Sequence, residues 1–156
     1  MRLFFAISFL ISSISYSQVN ADSLIVFAKT QLGVKYKYTG ISPKTGFDCS
    51  GFVKFVFNHF QIDVPRASMD YEKKGRTIPL DSALTGDVIV FTGTNAAKRK
   101  PGHVGIITKT ENGEIYFIHS SSGKPHGGVI ITNYSTSSNY RKRYIKTVRL
   151  NEVIHK

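Results

Sequence analysis

A second cysteine is missing from this chain. Cys49 stands alone among 156 residues, so no disulfide within the chain staples the fold. An unpaired thiol in an exported protein asks for another use. Metal-binding spacings are missing too. One cysteine and five scattered histidines, with no CxxC, HxxxH or HExxH, argue against a zinc site. Repeats, low-complexity tracts and heptads are absent, which excludes solenoids and coiled coils. Acidic residues are scarce: 10 Asp and Glu face 21 Lys and Arg, a formal charge of +11. A basic balance of this size suits anionic surfaces and polymers, but a merely solvated surface accounts for it more simply than any single partner does.

No apolar run is long enough for a membrane span. The longest, Leu3 to Ile14, follows the basic Arg2 and gives way to Ser15-Tyr16-Ser17. Residues 1–17 therefore read as a secretory signal peptide, and 18–156 have the length of one domain. No cysteine lies near the cleavage point, which argues against a lipid anchor. The expected destination is the periplasm or the exterior, with no stable membrane anchor.

Asp22 to Leu32 has helical apolar spacing, with Asp22 as N-cap and Gly33 as stop. A second, deeply buried helix is expected from Cys49 to Phe60, and a short exposed one from Arg66 to Gly75. Strands follow at 87–92, 103–108, 115–119, 128–132 and 144–149. Helices first and strands after imply an α+β domain, with N-terminal helices packed on a central antiparallel sheet.

Cys49 sits where a polar loop turns into an apolar helix, in the run GFDCSGFV at 46–53. Asp48 is a good N-cap, which places the thiol in the first turn among free backbone N–H groups. A free thiol titrates near 8.5, and such a position or a cationic imidazole lowers it to roughly 3.5–7.5. The N–H of Cys49 also suits an oxyanion donor. The plain alternative is a buried, inert thiol. His103 and His119 fall on consecutive strands. The connection TENGE, 110–114, suits a three-residue loop with Gly113 left-handed. His119 then lies opposite Gly105, one diagonal step of about 7–8 Å from His103 and on the same face. A two-residue loop would set the histidines on opposite faces. On this register His103 is the general base for Cys49, and His119 orients its ring. His59 reads as a surface residue, and His126 as a loop residue able to line a cleft.

The blocks YKYTG (36–40), GFDCSGFV, PRAS (65–68), GDVIVF (86–91), GHVGII (102–107) and FIHSS (117–121) occur in an order that resembles the NlpC/P60 cell-wall cysteine peptidases. The resemblance covers nearly all of 18–156. It implies a papain-like fold, Cys49 as nucleophile, His103 as base and His119 as orienting residue. Tyr36 resembles the tyrosine beside the nucleophile. Asp48 and Ser50 resemble substrate contacts on the acyl side, and Arg66 and Ser68 resemble pocket-wall residues. Asp48 has the alternative of only capping its helix, and Arg66 of only pairing with an acid. Tyr38 stands where relatives often carry Trp, and the basic loop from Thr94 to Lys100 looks longer than usual.

The implied activity is hydrolysis of peptidoglycan stem peptides at the γ-D-glutamyl–diamino acid bond, without cofactor or metal. Alternatives are the D-alanyl–diamino acid crosslink, an amidase or acyltransferase on the same scaffold, and an inactive wall-binding protein. The expected partners are stem peptides and, by charge, anionic wall polymer. Nucleic acid is not expected.

Overall fold

The computed structural model describes residues 18–123 and 127–155. The expected signal peptide, 1–17, and His126 lie outside the described residues. The first elements are β1 (Val19–Asn20), α1 (Ala21–Lys29), β2 (Ile41–Ser42), β3 (Gly46–Phe47) and α2 (Cys49–His59). Then come β4 (Arg76–Ile78), β5 (Val88–Thr92), β6 (Pro101–Glu111), β7 (Glu114–Ser121) and β8 (Gly128–Asn133). The chain continues through α3 (Ser138–Arg143), β9 (Tyr144–Arg149) and β10 (Val153–Ile154). The α+β arrangement anticipated above is the one found: α2 packs on β6 and β7 of a six-stranded sheet. Its order is β4-β9-β5-β6-β7-β8, with every neighbouring pair antiparallel.

The buried face of α2 carries Phe52, Val53, Val56 and Phe57, all fully buried. They meet Val88, Val90, Val104, Ile106, Ile118 and Val148 from one face of the sheet. The opposite face carries Ile89, Phe91, Ile107 and Phe117, covered by Ala83, Tyr134 and the partly buried Leu80, Tyr140 and Tyr144. Burial on both faces explains why β5 is a continuous apolar run rather than an alternating one.

Local chemistry departs from expectation in three places. Helix α1 is capped by Asn20, whose Oδ1 accepts from Asp22 N–H at 2.7 Å, so Asp22 is a first-turn acid and not the cap. The segment after Pro65 is a 3₁₀ turn, Ser68–Glu72, anchored by the fully buried Tyr71. One anchor without an apolar stripe does not sustain an α-helix.

The third departure concerns the β6–β7 turn. Glu111 pairs with Glu114, leaving a two-residue turn of Asn112 and Gly113 at φ 52° and 77°. Both are left-handed, as a type I′ turn requires. That turn alone would part the histidines. A register shift between Ile107 and Lys109 corrects it, so that Ile107 pairs with Phe117 and Ile106 with Ile118. Thr108 is the extra residue of this bulge. The anticipated register at the histidines is reached through a bulge, not through a three-residue loop.

Candidate active site

Asp48 begins the site. Its backbone is extended, and its Oδ1 accepts from Gly51 N–H at 2.7 Å, which caps α2 and places Cys49 at the first helical position. The same carboxylate accepts from Ser50 Oγ at 3.3 Å and from Arg66, at 2.6 Å and 3.0 Å. Arg66 also donates to Ser50 Oγ at 2.9 Å. Asp48 is therefore both a cap and half of an ion pair. The charge left facing the groove is Arg66, whose side chain is 40% exposed against 11% for Asp48.

His103 and His119 meet as the diagonal requires. His103 Nε2 lies 3.0 Å from His119 Nδ1, with the two rings edge to face. His119 Nε2 lies 2.9 Å from Thr132 Oγ1 on β8. Gly105 makes the approach possible: a Cβ there would fall 2.9 Å from Ile118 O and 3.0 Å from His119 Cβ. One strand along, Ser120 Oγ donates to Phe47 O at 2.8 Å and ties β7 to the segment just before Asp48.

Cys49 is half-buried beside β6. Burial pushes its thiol up, and the charge of Asp48 adds to that; the backbone N–H groups of Val104, Ser50 and Cys49 itself pull it down. Desolvation outweighs the helix terminus, contrary to the lowered value expected from the helix position alone. Burial, and then the positive charge of Arg143, pushes His103 down to about 3. His119 is held well below the ordinary imidazole range by burial, by His103 and by Arg143. Thiol and imidazoles are thus all neutral at rest.

The thiol opens into a groove of about 600 Å³ whose walls include Tyr36, Asp48, Ser50, Arg66, Ser68 and Gly102. Every binding residue anticipated from the sequence lines it. The backbone of Tyr36 is held by its N–H to Gly127 O, at 3.2 Å, and by the flanking bonds of Lys35 and Lys37 to Phe47. Burial, and then the charges that Cys49 and Asp48 carry when ionised, raise its hydroxyl, which stays protonated as a donor. His59 is exposed and stacks on Phe27, as a surface residue. Among the described residues, no cluster of three or more His, Cys, Asp or Glu side chains could hold a metal ion.

Three participants were not anticipated. Thr132 holds the outer side of His119, and its strand was foreseen without its register. Tyr140 packs against His103, His119, Phe91 and Phe117. Arg143 is buried, donates to Thr92 O at 3.0 Å and covers the Tyr140 ring. Both lie on α3, whose sequence SNYRKR has no apolar periodicity to announce a helix.

Comparison with known proteins bears on the family and the fold. The NlpC/P60 family model matches residues 33–149. The gamma-DL-glutamyl hydrolase of Bacillus subtilis is 32% identical over 139 residues, 89% of this chain and 32% of that protein. The murein DD-endopeptidase MepS/murein LD-carboxypeptidase of Escherichia coli K12 is 32% identical over 119 residues, 76% of this chain and 56% of that one. This chain thus spans about a third to a little over half of these relatives. An NlpC/P60 family protein of Bacillus cereus superposes with a TM-score of 0.71 at 29% identity, over 83% of this chain and 39% of that chain. The helix-on-sheet arrangement is the papain-like fold of these proteins. On these matches, and on the order of its blocks, the chain belongs to the NlpC/P60 family.

Proposed function

We propose that this chain is an exported cysteine endopeptidase that cleaves peptidoglycan stem peptides at the γ-D-glutamyl–diamino acid bond. The observation that carries the reading is the buried His103–His119 contact, 3.0 Å long, on the strand whose Val104 N–H favours the thiolate of Cys49. The names of two relatives, a gamma-DL-glutamyl hydrolase and a gamma-D-glutamyl-L-lysine dipeptidyl-peptidase, support the choice of bond. Residues 1–17 act as the export signal. Among the described residues, no helix is long and apolar enough to cross a membrane.

In this mechanism His119 Nε2–H donates a hydrogen bond to Thr132 Oγ1, and His119 Nδ1 accepts one from His103 Nε2–H. That leaves His103 Nδ1 as the bare nitrogen that takes the thiol proton. Burial disfavours either charge alone, so the proton moves as the sulfur attacks the scissile carbonyl. The oxyanion gathers the Cys49 N–H and the Tyr36 hydroxyl, donors of a kind worth about 10²–10³ in rate each. The imidazolium protonates the leaving amine, and water enters with His103 again as base to release the acyl group.

A second reading takes the D-alanyl–diamino acid crosslink as substrate, and the DD-endopeptidase name of the Escherichia coli relative favours it. Mass spectrometry of defined muropeptides, incubated with residues 18–156 and with Cys49→Ala, separates the two. Cleavage at the γ-D-glutamyl bond, lost in the variant, is expected. Cleavage only at the crosslink favours the second reading, and intact muropeptides throughout overturn both.

A further inference from the structure

The catalytic groove does not end at Arg66. A second cavity, of about 230 Å³, adjoins it, and the two share Arg66 and Ile41 as a common wall. The rest of its lining, Gly51, Lys54, Phe55 and Asn58, comes from one face of α2, at steps of three and four residues. Gly51 lets the opposite wall close in, because a Cβ there would run into Gly40 O, just before β2. Phe55 is half-buried, and its ring is fixed against Phe27 and Phe47, with centroids 5.8 Å and 5.1 Å away. Ile41 is 59% exposed at the shared wall. Asn58 is exposed, and among the described residues nothing engages its side-chain amide.

Direction and reach say which part of a substrate arrives here. On the proposed mechanism His103 protonates the leaving amine, so the leaving group lies toward β6. The acyl part then runs the other way, past Ser50 and Arg66. From Cys49 the axis of α2 rises about 9 Å to Phe55 and about 13 Å to Asn58. From a γ-D-glutamyl carbonyl, the glutamyl, alanyl and lactyl units together reach about 10–11 Å, at roughly 3.3–3.6 Å each. That is the point where a stem peptide joins its amino sugar.

Charge narrows the occupant further. Arg66 is paired with Asp48, and Lys54 donates to Asp63 Oδ1 at 2.9 Å and to Val64 O at 2.8 Å. Each cation is matched, so the cavity does not call for an anion. A free terminal ammonium fits no better. The carboxylate of Asp48 is only 11% exposed and already accepts from Gly51, Ser50 and Arg66. An aromatic ring, an aliphatic side chain and an unengaged amide suit a neutral group with apolar faces and a few polar ones. We propose that this cavity is a saccharide subsite that holds the N-acylated amino sugar of a stem peptide still attached to its glycan. The inference rests on the peptidase reading above and extends the same groove.

The test measures binding, with Cys49→Ala protein of residues 18–156 and calorimetric titration. Three ligands share an L-alanyl-γ-D-glutamyl core, whose alanyl nitrogen carries N-acetylmuramyl, lactyl alone or nothing. The muramyl ligand is expected to bind about tenfold or more tightly than the lactyl one, and the free amine most weakly. Asn58→Ala, at an exposed helical position, should cut the muramyl advantage about threefold or more, as loss of one hydrogen bond implies. It should leave the lactyl affinity within about twofold. Equal affinity for muramyl and lactyl ligands would overturn the saccharide subsite and leave the peptidase reading standing. So would a muramyl advantage that Asn58→Ala does not change, or tightest binding of the free amine. Failure of all three ligands to bind would overturn the subsite together with the reading on which it rests.

Discussion

Gly105→Ala is a small perturbation with a consequence that can be worked from the coordinates. An added Cβ would sit 2.7 Å from Phe117 Cδ2, 2.9 Å from Ile118 O and 3.0 Å from His119 Cβ. Carbon atoms in good contact sit about 3.5–4.0 Å apart, so relief requires roughly half an ångström to an ångström of movement. Neither a backbone oxygen nor a Cβ can swing aside, and β6 and β7 must separate. Overpacking of this kind costs about 1–3 kcal/mol. The same separation lengthens the His103–His119 contact, now 3.0 Å, beyond useful hydrogen-bond range. Misplacement of a catalytic group by about 1 Å costs roughly 10² in rate.

Urea unfolding and kcat/KM on a γ-D-glutamyl–diamino acid peptide check the two consequences separately. The expected result is a stability loss of about 1–3 kcal/mol, with a rate loss larger than that destabilisation explains at temperatures where the variant is folded. A Gly105→Ala protein with full stability and full rate would refute both the close strand approach and the orienting role of His119.

Deletion of Thr108 removes the extra residue of the bulge, so the two-residue turn then governs the whole hairpin; the histidines should part to opposite faces, with activity lost and β-sheet circular dichroism retained. Asp48→Ala removes the cap of α2 and the partner of Arg66. Its expected cost in urea unfolding is about 2 kcal/mol, roughly 1 from the cap and up to 1 from the ion pair after screening at the 40%-exposed Arg66. His103 is neutral in the fold down to about 3, whereas an unfolded histidine takes its proton near 6.5. The unfolded state therefore binds more protons below pH 6.5, and stability is whole above that value and falls with pH toward 3. The slope is about 1.4 kcal/mol per pH unit, or roughly 3 kcal/mol between pH 7 and pH 4. Unfolding curves at both pH values should show it, and His103→Asn should reduce it. Alkylation of Cys49 by iodoacetamide should climb through pH 6–9, because the thiol is raised, and a fast rate that is flat in pH would contradict the neutral resting pair.

What was legible in the sequence was whatever a single local pattern specifies. Asp48 before an apolar helical run announces a cap, and α2 begins one residue later. Runs such as VIVF and YIKTV announce strands, and β5 and β9 fall there. Legibility ended where two local signals compete or where none exists. Asn20 and Asp22 are both good caps two residues apart, and the structure uses the earlier one. Asn112-Gly113 suits a three-residue loop within TENGE and also a type I′ turn; the structure uses the type I′ turn and still sets both histidines on one face. The two are compatible because Thr108 absorbs the odd residue, and no local feature of a threonine in a β-rich run marks a bulge. Tyr140 and Arg143 were unreadable for a different reason. Their helix is six residues long, and tertiary contact with Phe91, Phe117 and Thr92 places it.

The thiol shows how far a local rule can be carried. The helix position alone implies a standing thiolate, and the N–H groups of Val104, Ser50 and Cys49 do favour one. Yet the carboxylate that caps the helix lies beside the same sulfur, and its charge opposes the N–H groups. Burial opposes both the thiolate and the imidazolium, each taken alone, and Arg143 adds to the cost of charging His103. A thiolate–imidazolium pair relieves these penalties together, since each charge then faces its opposite. On the proposed mechanism, the site is thus built to resist isolated charge and to accept a pair of charges that forms as the carbonyl is attacked. Loss of His103 then costs more than a base, because it leaves Cys49 with the full penalty of ionising alone. His103→Ala should accordingly leave a thiol less reactive toward iodoacetamide than free cysteine at the same pH, whereas a variant thiol as reactive as free cysteine would mean that burial does not govern this site.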